Sequence, residues 1–93
     1  MELEIFSVYD VAAGAHLPPF FMPNRATAER RFKQSCNDPS HQFCIAAEDY
    51  TLMSLGIFND ANGEIIHSHP QKVLSGLEAK ANGATPILTG TEG

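Results

Sequence analysis

Four of the six Lys and Arg residues in this chain, Arg25, Arg30, Arg31 and Lys33, fall within nine consecutive positions. Glu29 is the one acid among them, so the stretch carries +3 while the whole chain carries −5, leaving −8 on the other 84 residues. Guanidinium groups present a planar fork of donors that matches phosphate oxygens. On a helix turning about 100° per residue, Arg30 and Lys33 stand close together and Arg31 stands on a flank. That is the arrangement of a phosphate-contacting ridge. Aromatic rings beside such a ridge can stack on unpaired bases; most rings of so small a chain belong to its core, and one or two of Phe20, Phe21 and Tyr50 are expected at the surface. The competing reading is a solvated helix face in which Glu29 pairs with Arg25 or Lys33, four residues to either side.

Other chemistry has thinner material. His67 and His69 are two apart, and with His41, Cys36 and Cys44 they offer imidazole and thiol donors for zinc. The chain has no C-x-x-C pair and no H-x(3–5)-H spacing, so it matches no closed finger. Neither a metal nor another cofactor is expected. Glu48 and Asp49 are adjacent, so on any regular element their carboxylates diverge instead of sharing a substrate. There is no G-x-x-x-x-G-K phosphate loop and no dinucleotide fingerprint. A chain of 93 residues also has little room for a deep cleft. The expectation is a protein that is not an enzyme.

The elements that must position the ridge are short. Residues 2–9 alternate as a strand, with Leu3, Ile5 and Ser7 on one face and Phe6 and Val8 on the other. Val11 to Gly14 is a turn. His16 to Met22 contains Pro18-Pro19, which cannot donate to a ladder, so it is an edge strand or extended segment. Asn24 is a helix N-cap for Arg25 to Cys36, in which Ala28, Phe32 and Cys36 form one apolar stripe with Ser35 beside it. Pro39 closes that helix. Residues 40–49 read as a loop. Tyr50 to Phe58 is a strand, with Met53, Leu55 and Ile57 on one face and Leu52 and Phe58 on the other. Asn62-Gly63 turns it into a hairpin whose return strand, Glu64 to Ser68, is stopped by Pro70. Val73 to Ala81 reads as a short helix with Val73, Leu74 and Leu77 inward, weakened at Gly76 by roughly 1 kcal/mol. From Asn82 the sequence reads as a loose tail.

This order implies an α+β fold, a small antiparallel sheet with one main helix packed across it. Residues 1–70 form the expected compact domain and 71–93 a weakly structured C-terminal segment. An apolar fraction of 43% suits a globular chain, while the charged fraction, 18%, lies below the roughly 25% of an average soluble protein. The acidic balance excludes a protein that coats nucleic acid by bulk charge. The uncharged run from Val11 to Asn24 is broken by three prolines, so no membrane span is expected. Met1-Glu2-Leu3-Glu4 is acidic where an export signal would be basic, and cytosol is the expected location. Cys36 and Cys44 are too few for a disulfide scaffold and read as free thiols.

Several short runs, in order, carry a resemblance. They are Phe6-Ser7-Val8-Tyr9-Asp10, Pro19-Phe20-Phe21, Arg30-Arg31-Phe32, Asn37-Asp38-Pro39, Glu48-Asp49-Tyr50-Thr51-Leu52, Leu55-Gly56-Ile57-Phe58 and Asn62-Gly63. Together they resemble the small non-structural protein of gokushoviruses, microvirus-type phages with circular single-stranded DNA genomes. Cys44-Ile45-Ala46-Ala47 is less polar than that pattern. The resemblance implies a non-structural phage accessory protein of the host bacterial cytoplasm, binding single-stranded DNA in genome replication or single-strand synthesis. It brings no catalytic or ligand residues.

The expected DNA contacts are Arg25, Arg30, Arg31 and Lys33 for phosphates, with Phe20, Phe21 or Tyr50 for bases. The alternative is an interaction module that modulates a phage replication protein or a host factor. Its motivation is the overall acidity and the apolar edge from Leu17 to Met22, which can take up a partner strand or close a homodimer.

Overall fold

The strand nearest the N-terminus becomes the spine of a sheet because its middle residues are apolar on both faces. A computed structural model describes residues 1–82. Its elements are β1 (Glu2–Asp10), β2 (Ala15–His16), β3 (Phe20–Met22), α1 (Arg25–Cys36), α2 (Gln42–Ile45), a 3-10 turn (Ala47–Asp49), β4 (Tyr50–Asn59), β5 (Ile65–Ser75) and α3 (Gly76–Asn82). The antiparallel sheet runs β2-β1-β4-β5, and β3 pairs with the other end of β1. The fold is α+β, as its sequence pattern implies. Pro18 and Pro19 fall between the two short edge strands, where no ladder donor is needed.

α1 is set on one face of this sheet by its cap and its stripe. Asn24 Oδ1 accepts from the Thr27 backbone N–H at 2.8 Å and from the Thr27 hydroxyl at 2.9 Å. Ala28, Phe32 and Cys36 are buried against Phe6, Val8, Leu52, Tyr50 and Leu74. Phe6 and Leu52 have no solvent exposure, which places each among side chains worth about 1.5–3 kcal/mol of burial. At the C-terminus Asn37 Nδ2 donates to the Lys33 carbonyl at 2.8 Å and to the Ala79 carbonyl at 3.2 Å, tying α1 to α3.

Three segments depart from the sequence reading. The first is β4, where Leu55 is the extra residue of a bulge: Phe6 pairs with Ser54, but Ile5 pairs with Gly56. A one-residue bulge reverses every face beyond it. Ile57 therefore lies on the helix side beside Glu4, and Phe58 lies on the opposite side beside Leu3, the reverse of simple alternation. Gly56 also permits a close crossing, since a Cβ there would collide with the Ile66 carbonyl.

The second is β5. Pro70 does not end it; the strand continues to Ser75. His67 pairs with Gly56 and Gln71 with Ser54, so β5 has two surplus residues between these pairs, and Pro70 sits within that irregularity, where a missing donor is harmless. Residues 71–82 thus extend the sheet and add a helix, and are not weakly structured. Val73 and Leu74 belong to the strand, while α3 starts at Gly76 and buries Ala79, leaving Leu77 exposed. Its start is a reciprocal capping box. Glu78 N–H donates to Ser75 Oγ at 3.1 Å and Ser75 N–H to Glu78 Oε1 at 2.9 Å. Gly76 is required by packing, because a Cβ would strike the Ala47 carbonyl. The tail expected beyond Asn82 lies outside the described residues.

The third is 40–49, which contains α2 and the 3-10 turn in place of an open loop. His41 Nδ1 accepts from the Phe43 N–H at 3.0 Å, capping α2. The Phe43 ring lies 5.7 Å from that of Phe32 and 4.7 Å from that of Tyr50 between centroids.

Candidate nucleic-acid interface

The buried stripe of α1 dictates where its charges go. With Ala28, Phe32 and Cys36 against the sheet, the opposite pole carries Arg30 and Gln34, both exposed. Arg31 is exposed on the flank facing β3, and Lys33 is half-buried on the other flank. Thr27, Arg30, Arg31 and Gln34 outline a shallow depression of about 400 Å³ on this outer surface. Among the described residues, Arg30, Arg31 and Lys33 form no ion pair.

Arg25 is different. Its Nη2 lies 3.2 Å from Glu4 Oε2, and the same oxygen accepts from the Ser54 hydroxyl at 2.7 Å. Glu4 is drawn in because β1 places it on the helix side of the sheet, where a half-buried carboxylate needs donors. The pairing on which the competing reading rests is not seen: among the described residues Glu29 pairs with neither Arg25 nor Lys33.

The three aromatic candidates separate completely. Tyr50 is 9% exposed and belongs to the core, with its hydroxyl 3.4 Å from Gln42 Oε1, so no base can reach its ring. Burial pushes its phenol pKa up, and Asp10 and Asp49 add to that. Phe21 pairs with Ile5 and meets Phe58 at 5.4 Å on the sheet face that α1 does not cover. It is exposed, but on the wrong side for the ridge. Of the three, Phe20 alone is partly exposed on the helix side, stacked on Phe6 with centroids 5.9 Å apart.

Phe20 also borders a groove of about 230 Å³ between α1 and β3. Val8 and Phe32 line it, Phe20, Met22 and Phe43 wall it, and Arg31 and Ser35 stand on the α1 side. Met22, Phe43 and Ser35 are missing from the sequence-based set. Ser35 carried a signal: a small side chain beside an apolar stripe leaves a gap wherever the facing element is bulky.

The remaining reactive groups lie elsewhere. Burial, followed by the neighbouring Cys44, pushes the Cys36 thiol up to about 11, against a smaller opposing pull from Lys80. It is held as a neutral thiol, not a nucleophile. The Asp38 carboxyl is held below its ordinary value by the Ser40 N–H and then by the Ser40 hydroxyl. Among the described residues no three His, Cys, Asp or Glu side chains converge as metal ligands, and no helix is long and apolar enough to cross a membrane.

No curated protein and no solved structure matches the chain. A family model described as Phage ORF5 protein matches residues 3–79, a span that runs from β1 into α3 and contains the ridge and the groove. The chain therefore belongs to the Phage ORF5 protein family.

Proposed function

We propose that this phage protein is a non-enzymatic accessory factor that contacts single-stranded DNA through α1 during viral genome replication or single-strand synthesis in the bacterial cytoplasm. The observation that carries this reading is that, among the described residues, Arg30, Arg31 and Lys33 form no ion pair on an otherwise acidic chain. Arg25, held by Glu4, has a supporting role. At physiological salt, exposed charges beyond roughly 8 Å are largely screened, so the ridge acts through its nearest phosphates and not through net charge. The resemblance to the gokushovirus non-structural protein supports a genome-directed role.

A labelled single-stranded oligonucleotide titrated at several salt concentrations tests it. Three phosphate contacts give a slope of log K against log salt near about −2, or roughly 15- to 20-fold weaker binding at 200 mM than at 50 mM. Absence of binding at low salt, or binding indifferent to salt, refutes the reading.

A second reading, a protein-interaction module acting on a phage replication protein or host factor, is favoured by the opposite sheet face. There Phe21 is 45% exposed and Ile65 is 58% exposed, with Phe58 and Leu3 between strands. A pull-down from infected cells that loses its partner in a Phe21→Asp variant supports it. Recovery of the same proteins with that variant counts against it.

A further inference from the structure

We infer that the groove between α1 and β3 receives one unpaired nucleobase whose adjoining phosphate rests on Arg31; this rests on the single-stranded DNA reading above and deepens it. The walls are apolar and largely aromatic, and their rings are already fixed. Phe20 is backed by Phe6 at 25° between planes, and Phe43 is held between Phe32 and Tyr50. A ring entering between them meets surfaces that need little ordering. At about 230 Å³ the space is below the roughly 300–1,000 Å³ of a drug-sized ligand site, which suits a single ring system.

Charge selects among flat or apolar occupants. Arg31 borders the groove and, among the described residues, has no acidic partner. An apolar peptide side chain satisfies the walls and leaves that cation unmatched. A nucleotide satisfies both, with its base in the groove and its phosphate on the guanidinium fork. The Ser35 hydroxyl, on the α1 side, can donate to or accept from a base edge. A base held in a duplex is paired and stacked, so it cannot enter. The groove therefore makes this surface a reader of unpaired strands, which a ridge of positive charge alone is not.

The test separates groove from ridge with three probes of equal length: oligo-dT, an abasic strand with the same phosphates, and a duplex. Fluorescence anisotropy at low salt is expected to show oligo-dT bound about tenfold more tightly than the abasic strand, the increment of one stacked base. Ser35→Trp fills the groove from a half-exposed helix position and is expected to abolish that difference, leaving the abasic affinity and the salt slope unchanged. Phe20→Leu keeps an apolar wall without the ring and is expected to reduce the difference if Ser35→Trp perturbs folding. Equal binding of oligo-dT and the abasic strand by the parent protein overturns the base site but leaves the ridge intact, and is the result expected if a protein segment fills the groove. A preference that persists in both variants overturns it too. Failure of all three probes overturns the DNA reading itself.

Discussion

Phe20 and Phe21 are neighbours in the chain and belong to opposite surfaces of the sheet. Phe20 stacks on Phe6 beneath α1 and borders the groove beside Arg31. Phe21 meets Phe58 on the face that α1 leaves uncovered. Their residue type and composition are the same, and the pleat alone separates their roles. The helix-covered face combines a closed core with cations at its border that form no ion pair among the described residues. The other face has Ile5 and Ser7 buried in the sheet itself, with larger apolar groups left open around them. The groove and the cation beside it, on which the proposed contact depends, thus lie on one side.

The sharpest way to break this comparison is to remove an aromatic from each side. Phe32→Ala empties the roof of the core and is expected to cost about 3–5 kcal/mol in urea unfolding, enough to abolish the fold of a small domain. Phe21→Ala, on the half-open face, is expected to cost far less. Equal losses would mean that both faces are core.

Next in size is Gly76→Ala. The added methyl meets the Ala47 backbone carbonyl, which has no freedom to swing aside, and about 1–3 kcal/mol of overpacking strain is expected in thermal or urea melts. A neutral outcome would show that α3 is not pinned to the turn beneath it.

Charge reversal sharpens the functional contrast. In Arg30→Glu/Arg31→Glu the salt slope of oligonucleotide binding is expected to fall from about −2 to no more than about −0.7, the value for one remaining phosphate. Phe21→Ser, on the other face, is expected to leave that slope unchanged. An effect of similar size from both would deny the helix its special role.

The smallest effects are titrations. The Glu78 carboxyl is held below its ordinary value, first by the Ser75 N–H, then by Lys72 and the Ser75 hydroxyl. Its contribution is present above the ordinary carboxylate range and is lost as pH falls through the depressed folded pKa. Glu78→Gln should flatten that part of the acid limb in melts followed against pH. Cys36 acts in the other direction: its thiol, pushed up from 9.0 to about 11, stays neutral in the fold while the unfolded chain ionises. Stability should fall as pH rises from 9.0 toward 11, and Cys36→Ala should remove part of that fall. At neutral pH an alkylating reagent should label Cys44 before Cys36.

The legible parts of this molecule are those governed by neighbours in sequence. Asn24 as a cap, the Ala28–Phe32–Cys36 stripe, the strand character of residues 2–9 and the Asn62-Gly63 hairpin all follow from spacings of a few residues. The Ser75–Glu78 capping box was equally visible as an S-x-x-E pattern, yet Gly76 masked it by lowering the helix propensity of its own position. Tyr50 could not be placed from its type, because a ring with a polar tip suits a core or a surface equally well.

Local chemistry alone established the identities of the strands, the capped cationic helix and the uneven placement of charge, because these depend on residues within one or two turns of each other. Contacts across the chain settled which charges are paired and on which face each ring lies. Glu4 reaches Arg25 from 21 positions away, and the Leu55 bulge turns Phe58 to the far side. Pairing partners and register are long-range choices, made by whichever arrangement buries the most apolar surface with every polar group satisfied, and no short window of sequence contains that sum.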